Sequence, residues 1–526
     1  MINKKFLNKI FILLFIFPTF CFGDSYLDKK EFFVDKEYDY YQRKKILAIN
    51  LVLGEKTYFY VEEDFWKELS EEEKQKFFQR LKEISREFDQ KIYPFLTELL
   101  GKEPEKGINQ DPKITVLIHQ MRQDVGGYFR EEDNYEKIFA PFSNERKMIY
   151  LNAFKIENEE IKDEIAHEFV HLIEWEQKLK KIKEKTWILE MIAETAPTLL
   201  GYKENLKKRI ETFKKFPQAS LIEWRNESKD YAIVAVFGQY LISQYGEKIL
   251  KKILETKERG TLAIEKATGE NFSEIFKNFL LALYFQDCNL SPKLCFKTDL
   301  LNSFKVLPKI YVLPSSKEFY FSFLKKIKPF SGNWEKIYTE NKNFKIRIKG
   351  EKRGLFEISV ILCNSENLCE IKEFNLKETD TIEFIPKEIK EDFSSLLVIP
   401  RSTFEGNEEK IEEFEFSLEA FSEKELMKKS FCEEFSCTKF TRFLRKGMRG
   451  KDVKCLQEIL RAEGPEIYPE GLVTGYFGEL TFKAVIRFQQ KYSKEILEPW
   501  GLQKGTGFVG ITTLKKLNSV LQKCQK

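Results

Sequence analysis

The stretch Ile165-Ala166-His167-Glu168-Phe169-Val170-His171-Leu172-Ile173 organises the first half of this chain. It contains the pattern HExxH and uses two of the only three histidines among 526 residues. Its apolar positions recur at a spacing that predicts a helix with one buried face. Residues i and i+4 lie on one side of a helix, so both imidazoles would face the same way with Glu168 beside them. The stretch therefore predicts a helix that presents His167 and His171 to one cation.

Two histidines do not complete a catalytic zinc site, which has three protein ligands and one open position. The pattern HExxHxxGxxH is excluded, because Glu174 and Gln177 stand where it needs glycine and histidine. The other common solution is a glutamate from a following helix. Glu190 follows His171 after eighteen intervening residues, within Trp187-Ile188-Leu189-Glu190-Met191-Ile192-Ala193-Glu194. It is our candidate for the third ligand.

With this spacing the chain resembles the gluzincin metallopeptidases, whose pattern is HExxH, a spacer of similar length and then glutamate. The resemblance implies a Zn²⁺ ion held by His167, His171 and Glu190. In thermolysin-like members, an acidic residue four positions after the ligand glutamate hydrogen-bonds a ligand histidine, and Glu194 holds that place. The chain departs from the pattern at Met191, where relatives usually have a small or polar residue.

The same resemblance implies hydrolysis of a peptide bond, in which Glu168 takes the proton of the attacking water and passes it to the leaving amine. A residue that stabilises the oxyanion is also expected. Tyr231, near the start of a helical run, resembles the catalytic tyrosine of aminopeptidase-type gluzincins in its placement; the alternative is that it caps a buried helix. Tyr202 is the second candidate. Because no G-x-M-E-N signature occurs, the resemblance favours an endopeptidase over an exopeptidase.

In the zincin fold, an edge strand ahead of the active helix pairs with the substrate backbone. Gly126, Gly127 and Tyr128 are the candidate substrate-binding residues of such a strand, since the two glycines would let a peptide approach closely. An ordinary turn is the alternative. The third histidine, His119, ends a predicted strand and is interpreted as structural.

Residues 1–23 predict a secretory signal peptide. Three lysines precede an apolar run from Ile10 to Phe17, which is too short to span a membrane. We predict cleavage after Gly23. The alternative, acylation of Cys21, is disfavoured by Phe20, which stands where the processing enzyme would want a small residue.

The mature chain carries little net charge. Removal of the three lysines lowers the formal charge from +4 to 4 − 3 = +1, and the remaining charges are balanced, which predicts no nucleic-acid partner. No other apolar run reaches the length of about 18 residues that a transmembrane helix needs, which predicts no membrane span in the mature chain.

Eight cysteines remain after the signal peptide. An even number in mostly neighbouring positions, in a chain with a secretion signal, predicts disulfides formed outside the cytoplasm. No C-x2-C pair occurs, which argues against a cysteine-rich metal site. Pairing by proximity predicts the bridges Cys288–Cys295, Cys363–Cys369, Cys432–Cys437 and Cys455–Cys524.

Hydropathy patterns predict a multidomain chain. Residues 24–300 alternate strands, predicted at 46–53, 57–61, 113–118 and 148–153, with long amphipathic helices, of which the stretch 71–100 is interrupted near Pro94. This alternation predicts an α+β zincin-like catalytic domain. Residues 301–425 hold short β-rich runs between polar turns and predict a β-sandwich middle domain. Residues 426–439 predict a linker. Residues 440–526 predict a small all-α domain, with apolar helix faces separated by glycine-containing turns.

This last segment carries a second resemblance. It contains Gly447-Met448-Arg449-Gly450-Lys451-Asp452-Val453-Lys454-Cys455-Leu456-Gln457, then Gly471-Leu472-Val473-Thr474-Gly475-Tyr476-Phe477-Gly478, then Phe488-Gln489. In these residues it resembles the peptidoglycan-binding domain of type 1, which implies attachment to a cell wall. The alternative is a helical module that has drifted to another ligand or packs on the enzyme.

Together these patterns predict a secreted zinc metallopeptidase that acts on a protein or peptide substrate and is held at the bacterial cell wall. One alternative is a wall-binding protein whose zincin-like domain is an inert scaffold. Another is a metallopeptidase whose substrate is the peptide cross-link of peptidoglycan itself.

Overall fold

The computed structural model describes residues 23–315, 319–406, 409–422 and 435–523. The predicted signal peptide ahead of Gly23 and most of the predicted linker 426–439 lie outside these residues, as do Cys432 and Cys524. Within the described parts of the chain, no helix combines the length and the apolar character needed to cross a membrane.

The chain forms two compact units. The first is Met1–Ile182 with Ala196–Glu204, and the second is Lys183–Thr195 with Asn205–Lys526. Helix α5 (Thr186–Leu199) contributes to both units. This division into two units does not test the boundaries of the three predicted domains, which stay predictions.

A six-stranded sheet forms the base of the first unit, in the spatial order β1-β2-β3-β4-β6-β5. Its strands are β1 (Lys29–Phe33), β2 (Lys45–Leu53), β3 (Thr57–Glu62), β4 (Ile114–His119), β5 (Gly127–Tyr128) and β6 (Met148–Asn152). The pairs β3–β4 and β4–β6 are parallel, and the other neighbours are antiparallel. Every residue of β3, β4 and β6 is buried, which is why these central strands appear in the sequence as continuous apolar runs.

Four helices accompany this sheet: α1 (Glu63–Glu68), α2 (Glu71–Glu87), α3 (Tyr93–Leu100) and α4 (Ile161–Glu174). Ser70 caps α2 in a capping box with Glu73, which satisfies free backbone donors at the start of the helix. The predicted interruption near Pro94 is a π-helical turn at Phe88–Ile92, after which Pro94 lies in the first turn of α3, where no amide hydrogen is needed.

The second unit contains further helices: α6 (Glu204–Lys215), α7 (Ser228–Tyr245), α8 (Ile249–Glu255), α9 (Thr261–Thr268) and α10 (Phe272–Phe285). Every residue of α7 from Ala232 to Leu241 is buried. A helix that is apolar on nearly all sides belongs in a protein interior, and this middle part of α7 is buried in that way.

Two sheets follow in the segment predicted to be a β-sandwich. Their strands are β7 (Lys309–Val312), β8 (Tyr320–Ile327), β9 (Glu335–Tyr338), β10 (Lys345–Gly350), β11 (Phe356–Cys363), β12 (Cys369–Asn375), β13 (Thr381–Phe384), β14 (Ser395–Ser402) and β15 (Phe414–Phe421), with the short helix α11 (Pro386–Ile389) before β14. One sheet has the order β13-β10-β15-β8 and the other β12-β11-β14-β9-β7. Buried residues from both sheets form one core, among them Phe323, Ile346, Ile358 and Val398.

A small helical bundle closes the described chain, with α12 (Lys451–Ala462), α13 (Glu479–Lys491), α14 (Ser493–Ile496) and α15 (Ile511–Lys523). Its core contains apolar residues from the helices and from the segment before them, which Asn518 ties to the bundle through two hydrogen bonds with the backbone of Phe440. The small helical domain predicted for this part of the chain is confirmed.

The disulfides confirm half of the predicted pairing. Cys288–Cys295 and Cys363–Cys369 form as predicted. The predictions that pair Cys432 with Cys437 and Cys455 with Cys524 are wrong, because Cys437 bonds to Cys455, with their Cα atoms 5.7 Å apart. Proximity in sequence failed here because the chain before α12 lies along that helix, where the Ser436 amide also donates to Oε2 of Glu458.

Candidate metal and active site

Helix α4 places the HExxH residues. Its apolar face, including Ile161, Ile165 and Phe169, is fully buried, so the helix has a fixed rotation about its axis. The two histidines are half-buried on the same side, with their Nε2 atoms 3.1 Å apart. Two ligands of a tetrahedral zinc ion lie roughly 3.3 Å apart. The pair is therefore spaced for one metal ion.

A carboxylate that the sequence did not single out orients His171. The Nδ1 of His171 lies 2.7 Å from Oε2 of Glu174, whose side chain is fully buried. With the hydrogen of the ring on Nδ1, Nε2 is left as the acceptor nitrogen, and a carboxylate partner strengthens it as a metal ligand. In the sequence, Glu174 is notable only because it stands where the pattern HExxHxxGxxH needs glycine. Its position three residues after His171, one turn along the same helix face, is the signal that would have found it.

The buried Glu168 lies against the edge strand β5. Gly127 pairs with Leu151 of β6, so β5 occupies the edge of the sheet. A Cβ added at Gly127 would lie 2.9 Å from Cγ of Glu168 and 2.6 Å from the Tyr150 carbonyl oxygen. One added at Gly126 would overlap the carboxylate of Glu164. The two glycines are therefore needed for the strand to approach helix α4.

The side chain of Tyr128 belongs to the core on the other face of this strand. Its ring stacks on Tyr150 with centroids 4.3 Å apart, and burial raises the pKa of its hydroxyl well above the usual range. The hydroxyl lies 3.1 Å from Nε2 of His119, and Nδ1 of His119 lies 3.3 Å from Oδ2 of Asp39. Burial alone would raise the pKa of Asp39, but hydrogen bonds from His119 and Arg43 lower it below its usual range. Only the backbone of Tyr128 is left as a candidate for substrate contact, and His119 has the structural surroundings expected of it.

Glu190 lies on α5 and completes the set of potential ligands. One ligand atom from each of His167, His171 and Glu190 lies within 4.8 Å of the others. No other cluster of three or more potential metal ligands occurs among the residues that the structure describes. Two imidazoles and one carboxylate are a common donor set for catalytic zinc, and bonds of about 2 Å would bring these atoms slightly closer together.

Glu194 and Tyr231 are connected through Arg209. The carboxylate of Glu194 is almost fully buried and accepts hydrogen bonds from Nε and Nη2 of Arg209, the shortest at 2.7 Å. The guanidinium of Arg209 lies 4.6 Å from the ring centroid of Tyr231, whose hydroxyl donates to Asn226 at 2.7 Å. Tyr231 is thus linked to the helix that carries Glu190. The roles predicted for Glu194 and Tyr231 stay predictions.

Tyr202, the second candidate for oxyanion stabilisation, is engaged with α2. Its hydroxyl donates to Oε1 of Glu87 at 2.7 Å, and Lys91 lies over its ring. Burial and the hydrogen bond to Glu87 raise the pKa of this hydroxyl above its usual range. These contacts give Tyr202 a structural explanation that does not involve the metal site.

The C-terminal bundle contains an internal repeat that the sequence analysis missed. In the first copy the side-chain amide of Gln457 donates to the Tyr476 carbonyl and to Thr481, and its oxygen accepts from two backbone amides. In the second copy Gln489 makes the same contacts with Phe508 and Thr513. The two glutamines hold equivalent turns between equivalent helices.

The two copies differ at the surface. Tyr468 of the first copy is only 2% exposed and donates its hydroxyl to the Leu472 carbonyl. In the second copy Trp500, which precedes Gly501 as Glu470 precedes Gly471 in the first copy, is 58% exposed. Trp500 borders a groove of about 270 Å³ that is mainly apolar, together with Phe443, Leu502, Phe508 and Ile511.

Comparison with known proteins supports one of the two resemblances. Residues 449–517 match the family model of the putative peptidoglycan-binding domain. The match covers the bundle and not the metal site. No curated protein matches the chain.

One solved structure with a partial match is a family GH115 4-O-methyl-alpha-glucuronidase with specificity for decorated arabinogalactans. The two chains are 8% identical, and the alignment covers 59% of this chain and 51% of the other, with a TM-score of 0.13. This chain thus spans about half the length of that structure. A TM-score this low does not indicate a shared fold.

Proposed function

We propose that this chain is a secreted zinc metallopeptidase of the gluzincin type that is held at a bacterial cell wall by residues 449–517. The observation that carries the proposal is the convergence of ligand atoms from His167, His171 and Glu190. This donor set fits zinc and leaves a coordination position open. When bound there, zinc supplies Lewis-acid activation of a water and of the scissile carbonyl.

The residues around the ligands have the chemistry that peptide hydrolysis needs. Glu168 is buried beside the histidines, where its carboxylate would take the proton of the attacking water and deliver it to the leaving amine. Strand β5 supplies a sheet edge next to that carboxylate, and a substrate peptide would add to it as a further strand. The three disulfides fit an extracellular location.

Zinc content and protein cleavage test the enzyme proposal together. We expect about one zinc ion per purified chain, and cleavage of casein that Glu168→Ala abolishes while the zinc content is unchanged. His167→Ala should lose both zinc and cleavage, which separates the ligand from the base. Stoichiometric zinc without cleavage by the wild type would instead support an inert scaffold.

The wall itself is a second candidate substrate, because a domain that binds peptidoglycan would bring the proposed metal site close to the cross-link peptides. Purified peptidoglycan and casein should be digested side by side. Release of soluble muropeptides by the wild type and not by Glu168→Ala would identify the cross-link peptides as the substrate. Cleavage of casein alone would identify a protease that the wall only localises.

For wall attachment we propose the groove beside Trp500 as the contact with peptidoglycan. The two copies of the repeat keep the same buried hydrogen-bonded turn, whereas the second copy alone presents an exposed tryptophan next to Phe508. Binding sites for small ligands are typically apolar and aromatic with a few polar groups, and this groove has that composition.

A further inference from the structure

Asp24, the first residue after the predicted cleavage site, is built into the first unit as a carboxylate. Its side chain is only 5% exposed. Oδ2 accepts from Nη1 of Arg146 and from the hydroxyl of Tyr60, each at 2.8 Å, and Lys30 pairs with Oδ1. These partners come from strand β3, from strand β1 and from the residue two positions before β6. Position 24 is therefore fixed against the central sheet.

The backbone nitrogen of Asp24 is held as well. It donates to the hydroxyl of Tyr58 at 3.2 Å, and Tyr58 is only 4% exposed. A Cβ added at Gly23 would lie 3.0 Å from the same hydroxyl, so the chain before Asp24 passes close to it. The hydroxyl of Tyr58 thus marks the place of the nitrogen of residue 24.

A second carboxylate adjoins this hydroxyl. Asp111 is 2% exposed, and its Oδ1 accepts from the Lys113 amide at 2.9 Å. Its buried Oδ2 receives no hydrogen bond of full geometry from the described residues, although the carboxylate interacts with the Tyr58 hydroxyl. Burial and the neighbouring Asp111 raise the pKa of Tyr58 to about 12. An ionised carboxylate with one buried oxygen that is not fully hydrogen-bonded is costly unless a cation completes its surroundings.

The basic side chains near Asp111 are engaged elsewhere. Arg146 bonds to Asp24 and to Thr115, and the Nζ of Lys147 donates to the Pro104 carbonyl at 2.9 Å. The Nζ of Lys113 donates to the Gly54 carbonyl at 2.7 Å. As a peptide nitrogen, the nitrogen of Asp24 has one hydrogen, and it donates that hydrogen in the bond to the Tyr58 hydroxyl. A terminal ammonium at the same place would have three hydrogens and a positive charge.

We infer that the bond between Gly23 and Asp24 is hydrolysed during secretion, and that the new terminal ammonium of Asp24 is seated between Tyr58 and Asp111. An endopeptidase of the secreting cell would catalyse this step, in which water adds across the peptide bond. The products are a carboxylate on Gly23 and an amine on Asp24, and the amine takes up a proton. The inference rests on the proposed secretion and is independent of the metal site.

The first test is the amino terminus of the secreted protein. The full-length chain is expressed in a secreting bacterial host, and the product is analysed by amino-terminal sequencing and intact mass. We expect a chain that begins at Asp24. A secreted chain that begins at any other residue would overturn the inference.

The second test uses a thermodynamic cycle to measure whether the terminal ammonium of Asp24 interacts with Asp111. A chain that begins at Asp24 is compared with one that carries Gly-Ser before Asp24, each with and without Asp111→Asn, by thermal unfolding. We expect the extension to lower the Tm of the wild-type chain by about 2–4 °C, and Asp111→Asn to lower it in the Asp24-start chain but much less in the extended chain. Additive effects of the extension and of Asp111→Asn would contradict an interaction between the terminal ammonium and Asp111. The readout needs neither zinc nor catalysis, so its failure is distinct from failure of the proposed enzyme.

Discussion

Replacing Glu174 by glutamine should weaken zinc binding without unfolding helix α4. Glu174 is fully buried, and its Oε2 lies 2.7 Å from Nδ1 of His171. Glutamine has the same shape and its carbonyl still accepts a hydrogen bond, but it lacks the negative charge that increases the basicity of the ring. The variant therefore isolates the electrostatic part of this contact.

The size of the effect follows from the kind of contact that is lost. Substituting a residue that orients a metal-binding histidine costs about 10- to 100-fold in affinity, which corresponds to about 1.4–2.8 kcal/mol. The upper half of this range is expected for Glu174, because a fully buried carboxylate is poorly screened by solvent.

Competition with a chromophoric chelator at fixed pH measures the zinc Kd of the wild type and of Glu174→Gln. Glu176→Gln is the matched control, since Glu176 lies just beyond the same helix and pairs with Lys180. We expect the control to bind zinc like the wild type. The assigned role of Glu174 is wrong if its variant binds zinc within twofold of the control while both unfold at the same temperature.

Three further predictions concern other parts of the chain. Gly127→Ala would place a Cβ 2.6 Å from a carbonyl oxygen of the paired strand, so turnover of a peptide substrate should fall about 100-fold with zinc content unchanged; normal turnover would contradict the close approach. Trp500→Ala should weaken sedimentation with purified peptidoglycan about 30-fold, whereas Tyr476→Ala in the first copy should not; equal losses would argue against the groove. Burial alone would raise the pKa of Asp24, but Arg146 lowers it to about 2. Because this folded-state pKa lies below the unfolded value of about 3.9, the stabilisation is present above about pH 4 and lost as pH falls through about 2, so the Tm gap between wild type and Asp24→Asn should close over that range.

The helix and strands around the site were predictable because their signals are local. Four strands of the first sheet were predicted to within one residue, at 46–53, 57–61, 113–118 and 148–153. Continuous apolar runs and helical spacing both depend only on neighbouring residues. The same locality fixes His167 and His171 on one face of α4, since their spacing of four residues is a property of the helix itself.

Contacts between residues that lie far apart in the sequence were harder to predict. The approach of Gly127 to Glu168 depends on strand pairing that brings β5 over α4, and a pair of glycines has the same sequence whether it forms an edge strand or a turn. Likewise, the alternation of side chains along β5 decides that Tyr128 faces the core, and this direction depends on register.

By itself, the sequence determined the helix with its two histidines on one face, the succession of helical and β-rich segments, and the match of residues 449–517 to the putative peptidoglycan-binding domain. Only the tertiary structure decided that Glu174 orients His171, that Cys437 pairs with Cys455, and that Asp24 lies in a buried ion-pair network. The physical reason is the range of the interactions. Periodicity and capping act within a few residues, whereas partners of buried charges and cysteines are chosen by which surfaces the packed chain brings together.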